Sequence, residues 1–581
     1  MNVLLLALNA KYIHSSLALR SIKSYCKEYA AHINLLETTI NNHENEIIKE
    51  IYNASPDIIG VSCYIWNMSL IKTLLPTLKK ILPESTIILG GPEVSYDAEE
   101  LLLSLDADII MEGEGEITWK EYLDYRFKAI STIDNIKGLI YKSHGIVKRT
   151  SERPPLNLAD LPFVYSNFED TQHKIIYYEA SRGCPFNCQY CLSSVNSGVR
   201  FVPLDSVKKH LQHFYDHRVK QVKFIDRTFN ANKSYAMAIW DYLITHDNQY
   251  TNFHFEIAAE LLDDEMLALL KHARAGLIQF EIGVQSTNPQ VLDILQRKMS
   301  FDKISQVIQK VKYLGNIHQH LDLIAGLPLE TYDSFKRSFN DVIALRPEQF
   351  QLGFLKVLRG SGLRRNASQY GLVYKTEPPY EILYTSAITY AEIVRLHSIE
   401  ELLERYYNSG RFETILTYLF TCFSSPFDFF EKLSIYWEEK GYDLMLHNKI
   451  SYYLKLIEFI KNYPSINHEL SKEFIRFDYL KHEALKEVPI ELQTFDYMAF
   501  KKRDNELLKN DIYMQGVAPH LAQLSSRARY RAAQIERFKY DVYTAFVKHN
   551  SHEAVLLSEP CILLFDYSHK FTRCTLLSEE L

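Results

Sequence analysis

Twice within the first 375 residues, short apolar strands alternate with amphipathic helices. This pattern limits the chain to parallel sheets covered by helices. In the first stretch it predicts strands at 3–7, 33–37, 58–62, 86–89 and 109–110, with helices at 16–29, 44–54 and 70–81. The runs Gly90-Gly91-Pro92-Glu93 and Gly113-Glu114-Gly115-Glu116 fall at strand carboxyl ends, where open α/β sheets bind ligands. Residues 137–153 read as a hairpin, and the Pro-rich stretch after them as a linker. The second stretch predicts strands at 175–180, 221–225, 253–257, 277–283, 319–324 and 349–355. Six βα units fit a partial or full α/β barrel, whose chemistry sits at the strand C-termini. Beyond residue 378 the pattern changes to aromatic-rich helices at 381–405, 412–420, 426–440 and 450–462, then a mixed tail over 489–581. The fold class is therefore α/β, with a doubly wound parallel sheet, a barrel and a mostly helical C-terminal region. The domain boundaries are 1–140, 141–170 (hairpin and linker), 171–375 and 376–581.

The chemistry is concentrated in one loop. Cys184, Cys188 and Cys191 stand in Ser-Arg-Gly-Cys-Pro-Phe-Asn-Cys-Gln-Tyr-Cys, directly after the first strand of the second stretch. Three thiolates on one loop suit three irons of a [4Fe–4S] cluster. Electron-transfer clusters use four cysteines, so an absent fourth leaves one iron open for a ligand. The alternative is a zinc site completed by His173 or His210, although zinc favours paired Cys-x2-Cys knuckles.

Composition excludes several classes. Hydrophobic residues make up 47% and charged residues 24%, as in soluble globular proteins. A net charge of −7 gives no general nucleic-acid surface. The basic run Arg527, Arg529, Arg531 and Arg537, with Tyr530 and Phe538, reads as a solvated helix face; its alternative is a track for RNA phosphates. The other five of eight cysteines are scattered singly, so no disulfide framework is expected and a cytoplasmic setting is. No run is long enough for a membrane span.

The cysteine spacing, with Tyr190 before the last cysteine, resembles the signature of radical S-adenosylmethionine (SAM) enzymes. Residues 280–286 (Phe-Glu-Ile-Gly-Val-Gln-Ser) resemble the strand-four segment facing the SAM ribose. Residues 322–328 (Asp-Leu-Ile-Ala-Gly-Leu-Pro) resemble the strand-five segment near the adenine, and residues 354–360 the sixth-strand segment of one subgroup. That subgroup carries an N-terminal cobalamin-binding domain, to which residues 1–140 are similar, notably through Asn9-Ala10-Lys11-Tyr12 and the two Gly-rich turns. The resemblance covers about residues 1–365.

It implies a cobalamin-dependent enzyme that cleaves SAM reductively, for methyl transfer or a radical rearrangement on an unidentified substrate, with a reductant such as flavodoxin or ferredoxin. It implies SAM contacts from Tyr190, Arg227, Glu256, Glu281, Gln285, Ser286, Gly326 and Leu327. It implies cobalamin contacts from Asn9, Ser62, Tyr64, Asn67, Gly91, Pro92, Glu93, Gly113, Glu114 and Gly115. Asp-x-His-x-x-Gly, which supplies a lower cobalt ligand in many cobalamin domains, is missing, and His14 is the nearest loop histidine. Either cobalamin binds without a histidine ligand or the domain has lost it. A methylthiotransferase fits poorly, since residues 1–140 offer only Cys26 and Cys63 for a second cluster. From another class, the alternative is a non-catalytic, metal-stabilised RNA-binding scaffold.

Overall fold

The computed structural model describes the chain apart from residues 167, 169–170, 196–197, 484–487, 496, 570–571 and 578–581. The chain forms two compact units, Met1–Ser338 with Leu352–Ile393, and Phe339–Gln351 with Val394–Leu581.

The first unit opens with strands β1 (Val3–Asn9), β2 (Ile33–Thr39), β3 (Ile58–Ser62), β4 (Thr86–Gly90) and β5 (Ile109–Met111), which pair in parallel. The interleaved helices are α1 (Leu17–Tyr25), α2 (Glu44–Asn53), α3 (Met68–Ile81), α4 (Ala98–Ser104) and α5 (Gly115–Lys128). Successive strand side chains point to opposite faces, and both faces are apolar. Leu4, Leu6 and Leu8 pack with Ile47, Ile51 and Leu74 on one side; Val3, Leu5 and Ala7 pack with Ile22, Trp119 and Tyr122 on the other. That double burial is why these strands read as continuous apolar runs. The 137–153 hairpin is β6 (Leu139–Ser143) and β7 (Ile146–Arg149), and it extends the same sheet antiparallel from β5. The order β2-β1-β3-β4-β5-β6-β7 reverses direction at β1 and β3, the switch point at which such sheets bind ligands.

The second sheet is built from β8 (Ile176–Tyr178), β11 (Gln221–Phe224), β12 (Asn252–Ile257), β13 (Ile278–Gln285), β14 (His318–Ala325) and β15 (Gln349–Phe354), in chain order across the sheet with β8 and β15 at its ends. This is the partial form of the expected barrel. Between β8 and β11 lies a small hairpin, β9 (Ser181–Cys184) with β10 (Gly198–Phe201). Strands β13 and β14 alternate strictly between buried and half-buried residues. Phe280, Ile282, Leu321 and Leu323 face the helices, while Glu281, Gln285, His320 and Asp322 take the inner face.

The C-terminal region is mostly helical, as expected, and closes with the antiparallel strands Ala533–Tyr540, Leu556–Asp566 and Arg573–Leu576. Its aromatics form the core: Phe412, Phe429, Phe430, Trp437, Tyr453 and Phe459 are all buried. Two expectations are corrected. The helix predicted from residue 381 starts at Tyr390, because Ile382–Tyr384 is a strand. A capping box sets that start: Thr389 Oγ1 accepts from Glu392 N, while Glu392 Oε2 accepts from Thr389 N at 2.7 Å. The basic run is only in part a solvated helix face: Arg527, Tyr530 and Arg531 are exposed, whereas Arg529 and Arg537 are buried. Helix Ser526–Ala532 gives way to a strand. Arg529 is 1% exposed and donates to the carbonyls of Leu508, Leu521 and Ala522. Arg537 pairs with Asp504 at 2.6 Å. Neither guanidinium is available to phosphate.

Candidate functional site

The cysteine loop hangs from the β9–β10 hairpin. Gly183 has φ +102°, and a Cβ there would lie 2.1 Å from the Gly198 carbonyl oxygen, so only glycine lets the two strands close. Cys188 is buried and Cys184 and Cys191 half-buried, all as free thiols. Ser194 Oγ donates to the carbonyls of Cys188 and Cys191 at 2.9 and 2.6 Å, tightening the loop. Burial pushes the Cys188 thiol up, and Arg297, whose Nη1 is 3.7 Å from its sulfur, opposes that shift.

The sulfur spacing bears on zinc. Among the described residues, the groups whose donor atoms all lie within 4.8 Å of one another are His520–Asp566–His569 and Glu281–His320–Asp322, and the three thiols are not such a group. Two sulfurs on one zinc ion, each about 2.3 Å from it, are closer than that.

Around this loop the inner face of the second sheet holds polar atoms with no protein partner. Arg297 donates to the Gly283 carbonyl and to Tyr190 Oη, but its Nε is buried without an acceptor, as Gln285 Oε1 is without a donor; Asp322 Oδ1 lies 3.1 Å from His320 Nε2. Gln285 sits at φ +69°, a strained conformation of the kind concentrated at ligand sites. A buried donor and a buried acceptor, each costly when unpaired, match a ligand offering a carboxylate and hydroxyl or amino groups, as SAM does. Sequence reasoning missed Arg297.

The other expected SAM contacts are placed as follows. Tyr190 lies against Arg297, at 3.2 Å. Ser286 is buried and donates to Glu330 at 2.6 Å. Gly326, at φ +80°, passes so close to Ile382 that a Cβ would meet its Cγ2 at 2.6 Å, and Leu327 is fully buried. Glu281 accepts from Lys223 at 2.8 Å and lies 3.0 Å from His254 Nε2; although burial raises its carboxyl, these two partners hold it well below the usual range. Burial raises Glu256 and Asp322, the latter also through its neighbours Glu281 and Glu256.

Glu256 and Arg227 open onto a cavity of about 800 Å³, within the range that encloses cofactors. Its opposite wall comes from the first sheet. Asn9, Ser62 and Tyr64 reach it from the ends of β1 and β3, Gly91 and Pro92 from the turn after β4, and Gly113, Glu114 and Gly115 from the turn after β5. At Gly91, with φ +116°, a Cβ would lie 2.5 Å from the Cys63 carbonyl oxygen. Two expected residues point elsewhere. Asn67 ties the β3 turn together, donating to the carbonyls of Leu8 and Ser62. Glu93 is buried and accepts from Tyr380 Oη at 2.8 Å. Residues on the wall that sequence reasoning did not select include Trp66, stacked on Tyr64 at 4.4 Å, and Tyr177, which bonds His14 Nδ1 at 2.6 Å. The wall also includes Arg182 and Leu192, which flank the cysteine motif.

Comparison with known families agrees with both halves. Residues 3–123 match the B12 binding domain, and residues 178–342 match the Radical SAM superfamily. The chain is a radical SAM protein with an N-terminal B12-binding domain. The cofactors of these domain types are a [4Fe–4S] cluster, SAM and cobalamin. Residues 368–558 of this radical SAM protein match a family of unknown function, DUF4080. Among curated relatives, an uncharacterized methyltransferase of Pyrococcus horikoshii is 26% identical over 301 residues, which is 49% of this chain and 64% of the relative. The cobalamin-dependent radical SAM methyltransferase TokK of Streptomyces tokunonensis is 25% identical over 344 residues, 55% of this chain and 50% of TokK. The chain thus spans about half to two thirds of the length of these relatives. Two solved structures share the fold. OxsB, a cobalamin-dependent radical SAM enzyme, superposes with a TM-score of 0.56 at 15% identity, covering 91% of this chain and 84% of OxsB. The radical SAM methyltransferase TsrM of Kitasatospora setae also gives 0.56, at 14% identity, covering 65% of this chain and 79% of TsrM. Among the described residues no helix is long and apolar enough to cross a membrane.

Proposed function

We propose that this protein is a cobalamin-dependent radical SAM methyltransferase. The observation that carries the reading is the cavity walled by the strand ends of both α/β sheets, whose lining includes Arg182 and Leu192 on either side of the cysteine motif. When bound, the cluster supplies the electron that cleaves the sulfonium C–S bond of SAM, and cobalamin supplies a methyl group. Cys184, Cys188 and Cys191 hold the cluster. Arg297 takes the SAM carboxylate by a charge-assisted bond, and Gln285 accepts from its hydroxyl or amino groups. A one-electron reductant of the flavodoxin or ferredoxin type serves the cluster. The eight free cysteines accord with the cytoplasm.

The test is anaerobic reconstitution with iron, sulfide and cobalamin, then incubation with SAM and a reductant. Both 5′-deoxyadenosine and S-adenosylhomocysteine are expected. Deoxyadenosine alone would favour a radical rearrangement, and the absence of both would end the enzyme reading.

Arg297 gives a second test. Arg297→Ala should weaken SAM binding about 10- to 100-fold, the loss of a charged hydrogen bond of about 1.5–3 kcal/mol, while leaving the iron content unchanged. Equilibrium dialysis with labelled SAM reads the affinity. Unaltered binding would remove Arg297 from the site.

A further inference from the structure

We propose that Arg182 is the positioning residue that fixes the cluster loop against the cobalamin turn. The inference rests on the cofactor reading above and adds a role that neither the cysteine motif nor the Gly-rich turn carries alone.

Arg182 lies in β9, two residues before Cys184, yet its side chain reaches the turn after β5. Its Nη2 donates to Glu116 Oε1 at 2.6 Å, its Nε to Glu179 Oε2 at 2.8 Å, and its Nη1 is 3.5 Å from Glu114 Oε2. Directly across the hairpin, in register with it, stands Arg200. Arg200 pairs with Glu114 and donates to the Leu156 carbonyl. One arginine from each strand of the cluster hairpin therefore grips a carboxylate on either side of Gly115. Glu116 is anchored in turn within the first domain, accepting from Ser21 Oγ of α1 at 2.9 Å.

These groups are shielded: the Arg182 side chain is 17% exposed and that of Glu116 6%. Burial pushes the Glu179 carboxyl up. Burial also works against ionised Glu116, but Arg182 holds it below its ordinary value. Replacing a buried ion network by apolar packing often stabilises a protein. A network in this place is better explained by what it specifies. A guanidinium fork meets two carboxylates at once in a fixed plane, which a point charge does not. Glu114, Glu116, Glu179 and Arg182 also line the cavity. A shift of the hairpin therefore moves the Gly113–Gly115 turn, and with it the corrin relative to SAM. Reacting atoms must meet at about 3–3.5 Å, and a misplacement of about 1 Å can cost about 100-fold in rate.

The test uses the full chain carrying cluster and cobalamin, with Arg182→Lys, which keeps the charge and loses the fork. Glu116→Gln removes the other end of the link and guards against an effect peculiar to one variant. Pulsed electron paramagnetic resonance of the reduced cluster and cob(II)alamin reads their separation without turnover. Both variants should keep full iron and cobalamin content but show a broadened or shifted distance distribution. In turnover, S-adenosylhomocysteine should fall about 100-fold relative to 5′-deoxyadenosine. An unchanged distance distribution would overturn the proposal. So would loss of either cofactor in both variants, since Arg182 would then simply fold the hairpin. A wild-type chain that bound no cobalamin would bring down the cofactor reading and this inference together, whereas normal binding with unaltered spacing brings down the inference alone.

Discussion

Replacing Cys184, Cys188 and Cys191 together by alanine should reduce the iron content of anaerobically purified protein from about four atoms per chain, the content of one [4Fe–4S] cluster, to background. SAM cleavage should disappear with it. The effect is total because these are the protein's three iron ligands in the proposed site, and an alanine methyl coordinates nothing. The scaffold should survive. The hairpin that carries the loop is closed by the antiparallel pairing of β9 with β10 and by Gly183 lying against the Gly198 carbonyl, not by sulfur. Only Cys188 of the three is buried, so little packing is lost. Cobalamin binding should therefore persist in the triple variant, which separates loss of the cluster from loss of the fold. Iron, sulfide and zinc analysis with cobalamin titration makes the measurement. Iron retained by the variant, or one equivalent of zinc in the wild type, would sink the cluster assignment.

The sequence made the strands visible because each is buried on at least one face by a regular pattern. The six second-stretch strands lie within a residue or three of their predicted ends, since Phe253, Phe255, Phe280 and Leu321 mark the helix-facing side at every second position. The cysteine loop was legible for a different reason: its ligands are contiguous. Arg297 was not. It lies 109 residues from Cys188, just beyond a short helix, and nothing local distinguishes it from a surface arginine. Only the parallel crossover from β13 brings it beside the loop. Asp322 was quoted as part of a strand motif, but its grouping with Glu281 and His320 becomes apparent only once β14 is seen beside β13. Glu93 and Asn67 show the converse. Each stands in a turn of suitable composition, but the partner that claims it, Tyr380 for Glu93 and the Leu8 carbonyl for Asn67, is remote in sequence. Arg529 and Arg537 read as a basic surface because neighbouring charges suggest a common face. A change from helix to strand between them, together with Asp504 and three backbone carbonyls, turned both inward.

Gly91→Val should abolish measurable cobalamin binding while leaving the iron content intact. Gly91 has φ +116°, a conformation that side-chain-bearing residues rarely adopt, and a Cβ there would lie 2.5 Å from the Cys63 carbonyl oxygen and 3.1 Å from its nitrogen. Both are backbone atoms, so no rotamer change relieves the clash. The turn after β4 must move, and it forms part of the cavity wall at the end of a central strand. The backbone strain alone is about 1–3 kcal/mol, roughly a tenfold to hundredfold loss in affinity, and displacement of the turn adds to it. Two neighbours provide the scale. At Gly113 the conformation is again left-handed, φ +76°, but a Cβ would meet nothing within 4 Å, so Gly113→Val carries the strain without the collision and should bind more weakly than wild type but better than Gly91→Val. At Gly90 a Cβ would meet the Met111 oxygen at an ordinary 3.6 Å, and Gly90→Ala should leave affinity little changed. Absorption titration reads all three and tests the missing histidine ligand as well. The chain has no Asp-x-His-x-x-Gly motif, so bound cobalamin should show a base-off spectrum that His14→Ala does not alter. A spectrum of histidine-ligated cobalt lost in His14→Ala would show that His14, which lines the cavity, supplies the lower ligand, and wild-type affinity in Gly91→Val would show that the corrin does not rest on the β4 turn.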